Sequence, residues 1–478
     1  MEENLKHKTV VSTVWSSIQH FGRMGISFLS NLVLARLLMP EDYGAIGMLA
    51  IFMALSAVFI DSGLGNALIQ RKNANETDYA TIFFFNFGVS VFLYVLLYIS
   101  APAIAHFYNT DILCQLLRIY GLVLMVNSFS IIQNARLRKQ LNFKALTVSS
   151  IIAGVVSAIV GIYLAYKDYG VWALVWMNIA DAVVRTTLLW IQCKWLPKFV
   201  FSMNSLKTLF GFGGYLLANS LLFTLRRNVL SMILGKLYTA RELGMYSQAK
   251  KLEDIPVTGI STIIEQVSFP VFSKLQGDMV QFRQMQRNSL MFLAFLCFPL
   301  MFLVMVIAEP LILLLYTEKW VDATPYLQVL CFMGVFVCLQ AVNANVVNAM
   351  GHSKLYFKWS IYKTIVMFFL IWLGHFLGVI GLLGSLVLYH FIVYVINAIL
   401  ASEYTKYTIL QQIKDLFPIA FMSAMAAFPA YSLRYYINNC FLLIILQTCL
   451  YVGLFLCVYY LIDKKHLKEM LLFVKTKR

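Results

Sequence analysis

Leu34-Ala35-Arg36-Leu37-Leu38-Met39-Pro40-Glu41-Asp42-Tyr43-Gly44 returns later in the chain as Leu234-Gly235-Lys236-Leu237-Tyr238-Thr239-Ala240-Arg241-Glu242-Leu243-Gly244. In both passages an apolar run carries a basic residue near its end, and an acidic residue and a glycine follow within a few positions. Each passage closes the first of six apolar stretches. Because six is even, two such blocks enter a bilayer in the same direction, the arrangement of parallel repeats whose working site lies between two halves. The expected architecture is all-α and polytopic: a six-helix lobe at 1–205, a second at 206–403, and two additional helices with a basic tail at 404–478.

Composition agrees. The 478 residues are 60% hydrophobic and 13% charged, where a globular protein holds about half apolar and about a quarter charged residues. The apolar residues recur in stretches near the roughly 20 residues that span hydrocarbon, and about fourteen spans can be placed between 10–38 and 438–462. Met1 to Lys8 precede an apolar segment too long for a signal peptide, so the first span is expected to be retained. The net charge of +16 would suggest a nucleic-acid partner in a soluble chain. Here the Lys and Arg residues gather on one side of the spans, as the cytoplasmic side requires, so no nucleic acid is implied and both termini are expected inside. The exception is the segment between spans seven and eight, where Lys236, Arg241, Lys250 and Lys251 fall outside.

The first span carries a polar stripe. Ser12, Ser16, Gln19, Arg23, Ser27 and Ser30 recur at three- and four-residue steps and occupy an arc of roughly 80° on a helix. Serines alone would only ease helix packing, but Gln19 and a mid-membrane Arg23 tip the reading toward a water-filled cavity. The seventh span repeats the device with Gly213, Ser220, Thr224, Arg227 and Ser231, which leaves Arg226 turned about 100° away. Asp61 lies in span two, beside the Arg23 helix. Two readings of it stand side by side: a buried Arg23–Asp61 ion pair that stabilises packing, and a substrate or proton role. Asp181 and Arg185, four apart, suit an in-helix pair. Glu265, Lys363, His375, His390 and Asn343, Asn345 and Asn348 are weaker leads inside spans.

Catalytic patterns are missing: no Walker loop, HExxH or GxSxG occurs, and no loop between spans exceeds about 15 to 20 residues. The eight cysteines show no CxxC spacing, so neither a metal site nor a disulfide framework is expected, and no cofactor. The chain is expected to be a carrier rather than an enzyme, driven by an ion gradient, a membrane potential or its substrate's own gradient.

The Leu34–Gly44 passage resembles polysaccharide flippases of the multidrug, oligosaccharidyl-lipid and polysaccharide (MOP) exporter superfamily, in pattern nearest to the branch that exports colanic and teichuronic acid. Asp61-Ser62-Gly63-Leu64-Gly65, Ala67-Leu68-Ile69-Gln70-Arg71-Lys72, Gly170-Val171-Trp172-Ala173-Leu174, Gly244-Met245-Tyr246-Ser247-Gln248-Ala249-Lys250 and Lys319-Trp320 carry the same resemblance. It runs from about residue 8 to about residue 330. The resemblance implies a V-shaped pair of six-helix lobes that alternate access to a basic cavity in a bacterial cytoplasmic membrane. It also implies an undecaprenyl-diphosphate-linked glycan as substrate and polysaccharide polymerase machinery as a candidate partner. Arg23 and Arg227, with Gln19, Ser27 and Thr224, would then hold the diphosphate, which guanidinium groups bind bidentately. Asp61 would be the candidate for proton or sodium coupling. A multidrug exporter and a lipid II-type exporter of the same superfamily are the alternatives.

Overall fold

The computed structural model describes residues 2–61, 63–71, 73–275, 277–350 and 353–462, with side chains at 2–9, 211–213, 215–216, 262–271, 273–274, 353–357 and 462 outside the description. Every regular element among the described residues is helical. The first half holds α1 (Glu2–Leu37), α2 (Pro40–Asp61), α3 (Leu64–Gln70), α4 (Glu76–Tyr108), α5 (Ile112–Tyr120), α6 (Leu122–Ser128), α7 (Ile131–Lys139), α8 (Phe143–Tyr166) and α9 (Val171–Cys193). The second holds α10 (Met203–Leu237), α11 (Ala240–Lys274), α12 (Met279–Val306), α13 (Ala308–Tyr316), α14 (Thr324–Ala349), α15 (Ser353–His375), α16 (Gly378–Thr405), α17 (Ile409–Ser432) and α18 (Cys440–Ile462). Single 3-10 turns at Glu318–Ala323 and Leu433–Tyr435 complete the chain.

Each expected span falls on one helix or on a broken helical run. Among the described residues, ten of these runs are long and apolar enough to cross a membrane. The other four, α1, α10, α11 and α15, carry charged or polar side chains along their length or include residues outside the description. The breaks have local causes. Gly63 separates α2 from α3 at φ 66°, a left-handed conformation open to glycine. Asn75 starts α4 with a reciprocal capping box to Asp78, which satisfies two of the helix's orphan N–H groups.

The repeated passages adopt the same structure. Met39 N donates to Asp42 Oδ2 at 2.9 Å, and Thr239 N donates to Glu242 Oε2 at 2.9 Å, so the same cap opens α2 and α11. The two passages also touch at equivalent positions. A Cβ on Gly44 would lie 1.8 Å from the Ala240 carbonyl oxygen, and one on Gly244 would lie 1.9 Å from the Pro40 carbonyl oxygen. Glu41 and Arg241 are 3.9 Å apart. Residue i of one passage thus meets the counterpart of residue j in the other, and j meets the counterpart of i, the reciprocity of a two-fold contact.

The chain divides into two compact units, Met1–Gly244 and Met245–Arg478. The first extends beyond the 205/206 junction expected from the repeat because α10 packs on α2, α3 and α4. Within this unit α8 packs between α1 and α9, burying Ser149, Ser150, Ala153, Gly154, Ser157 and Gly161. Small residues of this kind let membrane helices approach closely where lipid offers no hydrophobic drive.

In the second unit α14 is largely buried and packs against α12 and α16, while α17 packs on α12 and α18. Polar side chains hold these helices together. Gln286 Nε2 donates to Asn343 Oδ1 at 2.8 Å, Asn343 Nδ2 donates to Gln412 Oε1 at 3.0 Å, and the Tyr394 hydroxyl donates to the same oxygen at 3.0 Å. Arg287 grips Asp415 with two bonds of 2.7 and 2.9 Å. Asn343 therefore ties α12, α14 and α17 together. Asn343→Leu should lower stability by about 1–3 kcal/mol, since Gln286 and Gln412 are left buried with lost partners. Thermal melting in detergent checks this, and Asn343→Leu/Gln412→Leu should recover part of the loss.

One expectation is corrected. Lys250 and Lys251 are not loop residues but lie inside α11. Lys250 is ion-paired with Glu253, and with Asp254 at 2.8 Å. A charge compensated within its own helix carries little topogenic weight, so Lys250 drops out of the basic residues between spans seven and eight, which leaves Lys236, Arg241 and Lys251. Gly213, Glu265 and the basic tail fall outside the described side chains.

Candidate functional site

The polar stripe of α1 divides along its length. Ser12 is buried and donates to the Leu141 carbonyl at 3.0 Å, and Ser30 is buried against its own helix, donating to Ile26 O at 2.7 Å. Between them Ser16 and Ser27 are exposed and Gln19 is half-buried. The stripe is therefore a packing surface at its ends and an open face in its middle. Val14, Ile18, Phe21 and Leu29 are exposed as well, as apolar residues facing lipid would be.

Arg23 occupies the centre of that open stretch. Its Nη1 lies 2.7 Å from Asp181 Oδ1 and donates to the Ser150 carbonyl at 3.1 Å. The Arg23–Asp61 pair that the sequence suggested is not formed: α9, not α2, supplies the carboxylate. The expected in-helix pair is present, with Arg185 Nη2 3.7 Å from Asp181 Oδ2. Asp181 is thus shared by two guanidinium groups. Its side chain is 14% exposed and that of Arg23 is 36% exposed, so the pair sits at the edge of the packed interior, where the pairing of intramembrane charges is needed.

Arg185 extends this cluster toward Asp61. Its Nη2 donates to Asn127 Oδ1 at 3.0 Å. Its buried Nε has no hydrogen-bond partner among the described residues. A cavity of about 190 Å³ follows, lined by Asp61, Asn127, Ser130, Asn134 and Arg185. Asp61, the last residue of α2, is exposed there. Arg23, Asp181, Arg185 and Asn127 form a contiguous polar chain, and this cavity places Asp61 at its end. That Asp181 also pairs with Arg23, and that Asn127 accepts from Arg185, is not readable from sequence, because spacing along one helix carries no information about which helix lies opposite.

On α10, Thr224 is half-buried and Arg227 exposed, while Arg226 is half-buried. Asn228 Nδ2 donates to the Thr224 carbonyl at 2.8 Å. Neither arginine has an ion-pair partner among the described residues. Of the other leads, Lys363 and His390 join one hydrogen-bonded chain: Lys363 donates to Asn397, Asn397 donates to the Gln340 carbonyl at 3.3 Å, and Gln340 lies 3.3 Å from His390 Nδ1. Among the described residues no group of His, Cys, Asp and Glu could hold a metal ion.

A body of long apolar helices with charged groups paired inside its spans is a polytopic membrane protein. The chain belongs to the polysaccharide biosynthesis protein family, which residues 33–325 match. It is 33% identical over 307 residues to the teichuronic acid biosynthesis protein TuaB of Bacillus subtilis, a match that spans 63% of either chain. It is 26% identical over 422 residues to the lipopolysaccharide biosynthesis protein WzxC of Escherichia coli, covering 84% of each. The succinoglycan biosynthesis transport protein ExoT of Rhizobium meliloti is 26% identical over 370 residues, 76% of this chain and 74% of that one. The fold is shared with the lipid II flippase MurJ in an inward closed conformation, at a TM-score of 0.77 and 16% identity over 95% of this chain and 100% of that one. An inward-facing multidrug resistance MATE transporter of the MOP superfamily matches at a TM-score of 0.62 and 16% identity, over 86% and 98%.

Proposed function

We propose that the chain is a flippase that carries a polyprenyl-diphosphate-linked oligosaccharide, with undecaprenyl as the lipid, across the bacterial cytoplasmic membrane for surface polysaccharide synthesis. The observation that carries the reading is the cluster of Arg23, Asp181 and Arg185 inside the spans of a family chain devoted to polysaccharide synthesis. Arg23 and Arg227 bind the diphosphate, helped by Gln19, Ser27 and Thr224, while the lipid tail stays in the bilayer. A diphosphate competes for Arg23 with Asp181, so substrate binding weakens an internal pair and favours a change of state. The moving bodies are the lobes 1–205 and 206–403, with 404–478 outside them and both termini cytoplasmic. Asp61, reached from Arg23 through Arg185 and the cavity, takes up a proton or sodium ion when that cluster rearranges. Polymerase machinery on the far side receives the glycan.

Liposomes containing the protein and a fluorescent polyprenyl-diphosphate oligosaccharide test this. Wild type should expose the label to an external quencher, and Arg23→Ala and Arg227→Ala should each slow that exposure at least about tenfold, the equivalent of one charge-assisted hydrogen bond. Undiminished flipping by both variants would sink the scheme. Rescue of cells depleted of their lipid II flippase would assign lipid II as the cargo instead.

A further inference from the structure

A cavity of about 510 Å³ lies in the second unit and shares no lining residue with the charge cluster described above. It opens where the start of α13, the turn Glu318–Ala323, the start of α14, the start of α16 and the end of α17 meet. Glu309, Asp322, Tyr326, Gln328, Tyr431 and Arg434 line it. The volume falls within the roughly 300–1,000 Å³ of small-molecule sites.

Its polar groups are held in place. Arg434 Nη1 lies 3.2 Å from Glu309 Oε2 and donates to the Tyr431 hydroxyl. The same guanidinium lies 5.0 Å from the ring centroid of Tyr431 and 5.4 Å from that of Tyr435. Gln328 Nε2 donates to the Met305 carbonyl at 3.3 Å, which fixes its amide. Thr324 also lines the cavity, and its buried hydroxyl has no hydrogen-bond partner among the described residues. An unsatisfied buried hydroxyl beside an open cavity is a place for a ligand oxygen.

The chemistry selects among ligands. Glu309 is matched by Arg434, and Asp322 adds a further carboxylate, so the cavity lacks the excess of cations that a diphosphate needs. Aromatic rings beside fixed donors and acceptors suit an uncharged polyhydroxyl ring, whose C–H face lies on an aromatic ring and whose hydroxyls bridge carboxylate, amide and guanidinium. We propose that this cavity binds one or two uncharged sugar residues, a saccharide subsite separate from the diphosphate site. Its lining comes from helix ends on the loop side where Lys and Arg are scarce, which the charge rule assigns to the outside. The subsite therefore meets the glycan after it has crossed, and this part rests on reading the chain as a flippase.

Saturation-transfer NMR on the full chain in detergent tests the assignment with free galactose, N-acetylglucosamine, lactose and glucuronic acid as probes. At least one neutral sugar should receive saturation, inorganic pyrophosphate should not displace it, and Glu309→Gln and Tyr431→Ala should each weaken it about tenfold. Glu309→Gln preserves shape, so its loss of signal at an unchanged melting temperature reports the site and not the fold. No transfer to any neutral sugar, displacement by pyrophosphate, or full signal in Glu309→Gln would overturn the proposal. A sugar signal with these properties in a protein that does not flip lipid-linked glycan would keep the subsite and remove the flippase reading.

Discussion

Alanine in place of Gly44, or of Gly244, is expected to destabilise the protein by at least the about 1–3 kcal/mol that overpacking costs. The added methyl would lie 1.8 Å from the Ala240 carbonyl oxygen in the first case and 1.9 Å from the Pro40 carbonyl oxygen in the second. Those atoms belong to the backbone of capped helix starts, so neither can swing aside as a side chain would. The α2 and α11 N-termini must separate, and the Glu41–Arg241 contact goes with them. Gly88 and Gly453 provide the control, because a Cβ at either meets nothing within 4 Å. Alanine at those helical positions should be neutral or stabilising by up to about 1 kcal/mol. Thermal melting in detergent distinguishes the two pairs. Equal melting temperatures for Gly44→Ala and Gly88→Ala would show that the close approach does not exist. Because positions 44 and 244 are equivalents in the repeat, both substitutions should fail by the same mechanism and to a similar extent.

Helical class, span placement and the repeat were legible because they depend on periodicity and on composition along the chain. The glycines that end the two quoted passages are the residues at which those passages touch, and their equivalence was readable before their contact was. Partners across helices were not. An Arg23–Asp61 pair is suggested because span two follows span one, yet α8 is the helix packed against α1, and Arg23 reaches Asp181 on α9 instead. Lys250 read as loop because charge normally marks a helix end, and the burial of Glu253 beside it was invisible. Asn343 read as a polar residue without a stated face, and only three-helix packing shows it to be a tie between Gln286 and Gln412. The sugar-sized cavity draws its lining from helix ends and a turn far apart in the chain, and no spacing along the sequence links them.

The Arg23–Asp181 pair allows architecture and substrate binding to be separated by two substitutions with opposed effects. Arg23→Ala leaves Asp181 with Arg185 alone at 3.7 Å. Asp181→Asn leaves Arg23 and Arg185 without their shared carboxylate. Removing one partner of a buried pair costs about 3–5 kcal/mol, and the 36% exposure of Arg23 puts both variants at or below the lower end of that range. If the pair only held α1 against α8 and α9, both would lose stability and both would lose transport. If Arg23 also binds the diphosphate, the two variants part company in ligand affinity. Arg23→Ala should weaken inorganic pyrophosphate binding by about ten- to a hundredfold, the worth of one charge-assisted hydrogen bond, whereas Asp181→Asn should strengthen it, because the competing anion is gone and two guanidinium groups are released. Isothermal titration with pyrophosphate, beside a melting curve for each variant, measures both quantities. A weaker pyrophosphate affinity in Asp181→Asn, in step with its stability, would reduce Arg23 to a packing residue and leave the diphosphate to be held elsewhere.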